Sequence, residues 1–354
     1  RKLLVPINHD IYARIKENKE RPFIVAEIGI NHNGDMGLAK ETISAAAEGG
    51  ADSVKFQNYV TEDFLFNGDL MFEYLSNGKK IVESQYDMFK RCELSIDNLE
   101  FLKSEAISHG LDFHSTPTSL KGVDALKALD CHIVKNGSDY LSNLDLIEYM
   151  GASGMTGVLS TGMATISEIE DAVNSFSKSG NDKLIILQCT SSYPAPPDTL
   201  NLNQMKTIGN VFGKPVGFSD HSEGNDACIV ATVLGARWIE KHFTLDKSLE
   251  GPDHRFSLDP KGLKNLVVAV DNSFQMLGKH EIVVQDIEKK SREEYTLSCV
   301  YLDDFDKGSV LAKDNIGFHR PGYGFRPKDA QFFIGRKLCK EVTHGKIIEL
   351  TDFE

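Results

Sequence analysis

Lys214–Pro260 reads KPVGFSDHSEGNDACIVATVLGARWIEKHFTLDKSLEGPDHRFSLDP, and the fold is decided here. Two short apolar runs, Pro215–Phe218 and Arg237–Glu240, have the length and bounds of buried strands. Between them Asn225–Leu234 is a small-residue helical pattern closed by Gly235. A strand, a helix and a second strand make the two strands parallel neighbours, so both release the chain at the same sheet edge. Each ends in a polar cluster with a histidine: Ser219-Asp220-His221 and Glu240-Lys241-His242. Two imidazoles on one edge, with Asp253 and His254 close behind, form a candidate site for a divalent cation. Two ordinary strand-end histidines are the plainer alternative.

Outward from this stretch the same unit repeats. Further strand candidates are Phe23–Ile28, Ser53–Phe56, Asp112–Ser115, His132–Lys135, Gly157–Ser160 and Leu184–Cys189. Helical patterns follow them at Gly37–Glu48, Ile96–His109, Thr118–Leu129, Asn143–Met150, Thr165–Lys178 and Asn201–Asn210, and Lys261–Leu277 follows the last strand. Eight strand–helix units in about 250 residues are the size and order of a (β/α)8 TIM barrel. A doubly wound sheet is the rival. The glycines of Gly29-Ile30-Asn31-His32-Asn33-Gly34 have the wrong spacing for its dinucleotide loop.

In such a barrel chemistry sits where strands end. Those positions carry Glu27, Asn31, His32, Asn33, Lys55, Gln57, Thr116, Lys135, Ser138, Ser160, Thr161, Thr190, Ser191, Tyr193, Ser219, His221, Lys241, His242 and Asp253. Lysines at 55 and 135, with hydroxyls from Thr116, Ser138, Ser160 and Ser219, suit a phosphate and a carboxylate. Any one of these taken singly reads as a solvated surface group; their convergence on one face carries the functional reading.

The 354-residue chain has 52 acidic residues against 39 Lys and Arg, a net charge of −13. This argues against nucleic acid or an anionic membrane as partner, and makes an anion-binding pocket a local construction. No apolar run approaches the roughly 20 residues of a membrane span. The six cysteines, at 92, 131, 189, 228, 299 and 339, form no CxxC pair, which points to a reducing, cytoplasmic setting. Residues 1–21 read as an arm on the barrel of residues 22–280. Val60–Met88 reads as a mobile insertion over the barrel mouth, with Phe64, Phe66, Phe72 and Tyr74 packing on the barrel rather than touching ligand. After a linker at 281–293, residues 294–354 read as a small β-rich module with strands in TLSCVYL, DKGSVL, GRKLCKEV and GKIIEL. Arg320, just before Pro321 and Gly322, is an exposed guanidinium in that module, either a plain surface residue or a fork for a sugar or carboxylate.

Taken together PFIVAEIGINHNGDMGLAKETI, GADSVKFQ, STP, LSTGMAT, CTSSYP, GFSDHSEG, EKHFTLDK, GPDH and RPGYG resemble the sialic acid (nonulosonic acid) synthase family, from about Pro22 to the C-terminus. The family includes synthases of N-acetylneuraminic, legionaminic and pseudaminic acids. The resemblance implies a (β/α)8 barrel followed by an antifreeze-like (SAF) domain, and a domain-swapped homodimer. It implies a transferase that condenses phosphoenolpyruvate with an N-acetylated hexosamine-type aldose and needs a divalent metal, Mn2+ or Mg2+. By motif, His221 and His242 resemble the metal ligands. Lys55, Thr116, Lys135, Ser138, Ser160 and Ser219 resemble the phosphoenolpyruvate pocket. Glu27, Gln57, Tyr193 and Asp253 resemble the sugar end, with Glu27 the proton-shuttle candidate. Arg320 resembles the arginine inserted into the other subunit's site.

The chain departs from the family pattern at the sugar end. KNGSDY places Tyr140 where an acid is expected, with Asp139 beside it as a substitute, and Ser191 stands where some members have asparagine. These departures keep two further readings in play: synthesis of another ulosonic acid from a different sugar or sugar phosphate, and a non-catalytic sugar-binding relative.

Overall fold

The structure, a computed structural model, describes residues 10–17, 19–66, 70–76 and 78–354. Two compact units divide the chain, Arg1–Gly278 and Lys279–Glu354.

The first unit is a closed barrel of parallel strands: β1 Phe23–Gly29, β2 Ser53–Asn58, β3 Asp112–Pro117, β4 Ile133–Asn136, β5 Thr156–Ser160, β6 Leu184–Cys189, β7 Val216–Asp220 and β8 Trp238–His242. Each strand pairs with its neighbours in sequence, and β8 closes on β1 with Glu27 opposite His242. The helices are α1 Met36–Gly49, α2 Ile96–Ser108, α3 Leu120–Ala128, α4 Leu144–Ala152, α5 Ile166–Ser177, α6 Gln204–Phe212, α7 Asp226–Val233 and α8 Pro260–Leu277. Their starts follow local chemistry. Asp35 caps α1 by accepting from the Gly37 and Leu38 amides, and Thr165 with Glu168 forms a capping box on α5. Asp259 caps α8, whose first residue is Pro260.

Strand alternation sorts the side chains. Ile24, Ala26, Ile28, Val54, Phe56, Leu159, Ile186, Phe218 and Ile239 face outward into the helix layer. Phe23, Val25, Ile133, Val158, Ile185, Leu187 and Trp238 fill the lower interior. Gly217 makes room for that filling: a Cβ there would stand 2.6 Å from Leu187 Cδ2 and from the Trp238 backbone oxygen. The short helix Ile11–Glu17 adds Ile11 and Ile15 to the same cluster. Burying each contributes roughly 2 kcal/mol. Residues 1–9 and 18 of the expected arm lie outside the described residues.

The insertion after β2 differs from the mobile loop expected. It carries an antiparallel hairpin, Met71–Ser76 against Lys79–Ser84, turning at Gly78 with φ 70°. Cross-strand contacts on one face are the physical reason: Phe72 stands opposite Glu83 and Tyr74 opposite Ile81, and the Tyr74 hydroxyl donates to Glu83 at 2.7 Å, while Met71, Leu75 and Val82 on the other face are exposed. Residues 67–69 and 77 lie outside the description.

The second unit has one regular strand pair, Ser298–Tyr301 with Ile316–His319. The other expected strands reduce to isolated bridges such as Val310–Lys337 and Leu338–Phe353, because turns interrupt every ladder. Its core holds Cys299, Tyr301, Leu311, Phe333, Leu338, Ile348 and Phe353. The buried Asp352 is held by Lys346 at 2.6 Å and Lys340 at 2.9 Å.

Candidate active site

At the carboxyl ends of the barrel strands the interior turns from apolar to charged. Two lysines and two glutamates, Lys55, Lys135, Glu27 and Glu240, are each at most 5% exposed. Lys55 Nζ lies 2.8 Å from Glu27 Oε1 and 3.7 Å from Glu240 Oε1, and donates to Thr116 Oγ1 at 2.9 Å. Lys135 Nζ donates to Ser160 Oγ at 2.6 Å and to the Asn136 carbonyl at 2.9 Å, and stands 3.8 Å from Glu240 Oε1. Glu240 therefore bridges the two ammonium groups. Burial is tolerable because the four charges sum to zero.

The pKa values follow from this packing. Burial raises Glu27 to about 7, against the pull of Lys55 and with a further push from Glu240. Burial also lowers Lys135, while Glu240 opposes the shift. Glu240 is drawn below the ordinary carboxylate value: burial pushes it up, but Lys135 and Lys55 outweigh that. One oxygen of each glutamate, Oε2, is buried without a partner.

Beside this cluster His221 and His242 lie with ring centroids 5.4 Å apart. His221 Nδ1 is 2.9 Å from the Thr190 carbonyl, which only accepts, so Nδ1 carries a proton and Nε2 is the nitrogen left for a ligand. Burial lowers the ring's pKa, but Cys189 and the Thr190 carbonyl outweigh it and hold it above the ordinary value. Burial, reinforced by His221 and the lysines, lowers His242 well below the usual value and keeps it neutral. His242 Nδ1 is buried without a hydrogen bond, 3.7 Å from Asp253 Oδ2. Two imidazoles fit a divalent cation, His242 already neutral and His221 neutral once the cation displaces any proton on its Nε2. Among the described residues no group of three or more His, Cys, Asp or Glu gathers at one point. An ion here would keep most of its coordination sphere for water and substrate, as catalytic rather than structural metals do.

A cavity of about 890 Å³ opens over these groups. Glu27, Lys55, Gln57, Thr116, Lys135, Ser138, Asp139, Tyr140, Ser160, Ser191, Tyr193, His242 and Asp253 all reach its wall, so the structure brings most of the expected set together. Gln57 donates to Glu27 Oε1 at 3.3 Å. Ser138 Oγ accepts from the Gly162 amide at 3.0 Å, and a Cβ on Gly162 would stand 2.3 Å from Ser191 Oγ. Glycine at 162 is what lets the two serines converge.

Some positions behave differently. Ser219 and His221 are buried but do not form the wall; the Tyr193 ring covers His221 at 4.2 Å. Arg320 belongs to the second unit, where its guanidinium lies 5.4 Å from the Tyr295 ring centroid. Lys241 is not a site residue: it faces the helix layer and binds Asp220 Oδ2 at 2.5 Å and the Ser222 carbonyl at 2.7 Å. His254 turns away from His242 toward Thr244 and Asn33. Phe64, Phe72 and Tyr74 reach the cavity wall, contrary to the packing-only expectation, and Phe66 is fully exposed. Sequence reasoning missed Glu240. The period of two would have found it, because Glu240 and His242 share the inward face while Lys241 takes the other.

The pattern of the NeuB family matches residues 42–282, more than half of the chain. An uncharacterized protein of Methanocaldococcus jannaschii is 40% identical over 333 residues, covering 94% of this chain and 95% of its own. The N,N'-diacetyllegionaminic acid synthase of Legionella pneumophila is 36% identical over 327 residues, covering 91% of this chain and 92% of its own. The crystal structure of the N-acetylneuraminic acid synthetase of Leptospira borgpetersenii in complex with citrate is 33% identical with a TM-score of 0.70, covering 77% of this chain and 90% of that one. With its barrel, its charged mouth and these likenesses, the chain belongs to the NeuB family of sialic acid synthases.

Proposed function

We propose that the protein is a nonulosonic acid synthase that joins phosphoenolpyruvate to an N-acetylated hexosamine-type aldose and releases phosphate. The observation that carries this reading is the lysine–glutamate cluster of Lys55, Lys135, Glu27 and Glu240 beside the paired imidazoles of His221 and His242, at one barrel mouth. Lys55 and Lys135 neutralise the phosphate and carboxylate of phosphoenolpyruvate, and Thr116, Ser138, Ser160 and Ser219 orient its oxygens. Carbon 3 of phosphoenolpyruvate attacks the aldehyde carbon and forms the new C–C bond. Water adds at carbon 2, and the C–O bond to phosphate breaks. One proton of the water reaches the former aldehyde oxygen, and the second passes from the carbon 2 hydroxyl to the departing phosphate as the ketone forms, so the step is balanced. Glu27, with a pKa of about 7, suits both transfers.

His221 and His242 would hold Mn2+ or Mg2+, which supplies Lewis-acid polarisation of the aldehyde. Gln57, Asp139, Tyr140, Ser191, Tyr193 and Asp253 surround the acceptor. The C-terminal residues 294–354 are read as the antifreeze-like domain, following the barrel of residues 22–280 and the linker 281–293. In a domain-swapped homodimer they would bring Arg320 to the partner's acceptor. Exposed Ile282 and Ile287, both in the linker, support such an assembly. Five of six free cysteines are buried, which agrees with a cytoplasmic enzyme. Among the described residues no helix is long and apolar enough to cross a membrane.

A phosphate-release screen tests the reading. Phosphoenolpyruvate and Mn2+ are offered with N-acetylmannosamine, 2,4-diacetamido-trideoxyhexoses and sugar phosphates. Release that needs both metal and an N-acetylated aldose is expected; no release with any acceptor sinks it.

A further inference from the structure

The loop after β1 contains two asparagines that the chemistry above does not use. Each reaches across to the loop after β8. Asn31 Nδ2 donates to the Phe243 carbonyl at 2.9 Å and to Ser257 Oγ at 3.0 Å, and Ser257 Oγ donates to the Asp253 carbonyl at 2.6 Å. Asn33 Nδ2 donates to the Glu250 carbonyl at 2.8 Å and lies 3.2 Å from His254 Nε2. His254 Nδ1 lies 2.7 Å from Thr244 Oγ1, and that hydroxyl is 3.2 Å from the Asp246 carbonyl.

The proton positions in this chain are forced. The Glu250 carbonyl accepts only, so it fixes Nδ2 of Asn33 as the atom facing the loop. That amide can only donate to His254, so Nε2 must carry a lone pair. His254 is then the neutral Nδ1–H tautomer, donating to Thr244, whose own proton goes to Asp246. His254 is fully buried, and burial lowers its pKa to about 4, consistent with the neutral ring. Gly251 lets the loop pass the ring: a Cβ there would stand 2.7 Å from His254 Cδ2. Asn33 holds φ at 51°, a left-handed conformation that Asn and Asp adopt more readily than other side chains.

We infer that Asn31 and Asn33, acting through Ser257 and the Nδ1–H tautomer of His254, form a clamp that sets Asp253 against His242 in the acceptor half of the site. They are positioning residues, because neither is among the groups that line the cavity. Asp253 is gripped on both sides, by its own carbonyl through Ser257 and by the neighbouring His254 side chain. The kinetic half of this inference rests on the synthase reading; the structural half does not.

Two substitutions remove the Asn33 donor while leaving the backbone unstrained. Asn33→Asp keeps size and the left-handed preference, and Asn33→Gly keeps the backbone freedom. Both are expected to lower kcat/KM for the aldose by about 10- to 100-fold, with the KM for phosphoenolpyruvate changed by less than about twofold. Amide hydrogen exchange is expected to quicken in residues 243–258 and not in the barrel strands. In the unsubstituted protein, two-bond 1H–15N correlations, assigned by loss of the signal in His254→Gln, are expected to show a neutral Nδ1–H imidazole at pH 7. An Nε2–H tautomer, unchanged exchange in that loop, or equal losses for both substrates would overturn the clamp. A wild-type protein that turns over no aldose would sink the synthase reading instead, leaving the tautomer and exchange results to decide the clamp.

Discussion

Lys135 and Lys241 are both buried lysines near strand ends, and replacing each with methionine should give opposite results. Lys135 faces the cavity. Two of its three protons go to Ser160 and Asn136, and the third points at Glu240 across 3.8 Å. That third donor is the one an incoming phosphate can take. A unit charge about 4 Å away interacts with roughly 4 kcal/mol at an effective dielectric near 20. Glu240 already draws on the same ammonium, so the net loss on removing it should be about 2–3 kcal/mol, or roughly 30- to 150-fold in Kd. Stability should fall by only about 1–2 kcal/mol, because Glu27, already near pKa 7, takes up a proton and restores neutrality. Lys241→Met strands Asp220, which is 1% exposed, and should cost about 3–5 kcal/mol, or about 6–15 °C in Tm, with the site intact. Calorimetric titration of phosphoenolpyruvate and thermal melts of the two variants measure both quantities. If Lys135→Met binds phosphoenolpyruvate within about threefold of wild type, or Lys241→Met loses affinity as much as Lys135→Met does, the assignment of faces on these strands is wrong.

Three further outcomes are expected. Because the folded pKa of Glu27 is raised from 4.5 to about 7, its contribution is full below pH 4.5 and is lost as pH rises through 7. Glu27→Gln should therefore remove roughly 3 kcal/mol of pH-dependent stability from that window, read as denaturation free energy against pH. His221→Ala and His242→Ala should each abolish measurable Mn2+ binding by calorimetry while melting within a few degrees of wild type. Gly217→Ala should lower stability by about 1–3 kcal/mol in denaturant titration, since its Cβ meets the Trp238 backbone at 2.6 Å and backbone yields little.

The barrel was legible because every strand is a short apolar run between capped helices, and local patterns of that kind survive folding. All eight strand positions and all eight helices fall where the sequence puts them. Most of the cavity wall was legible for the same reason: once the strands are placed, their ends are placed. What escaped depends on direction rather than position. Glu240 and Lys241 are adjacent in sequence, yet one bridges the two buried lysines of the cavity and the other serves the helix layer, and only strand phase separates them. His254 stands beside Asp253 but is claimed by Asn33, more than two hundred residues away in the chain. The hairpin at 71–84 was hidden because its glycine and charges resemble a loop when cross-strand pairing is unknown. In the second unit short β-like runs suggested ladders, but turns leave them as single bridges.

Anomalous diffraction from crystals soaked with Mn2+ and phosphoenolpyruvate tests the proposed chemistry most directly. The expected map has manganese bound by His221 and His242 and the phosphate within hydrogen-bond distance of Lys55 or Lys135. Manganese at any other site, or a phosphate remote from both ammonium groups, would contradict it.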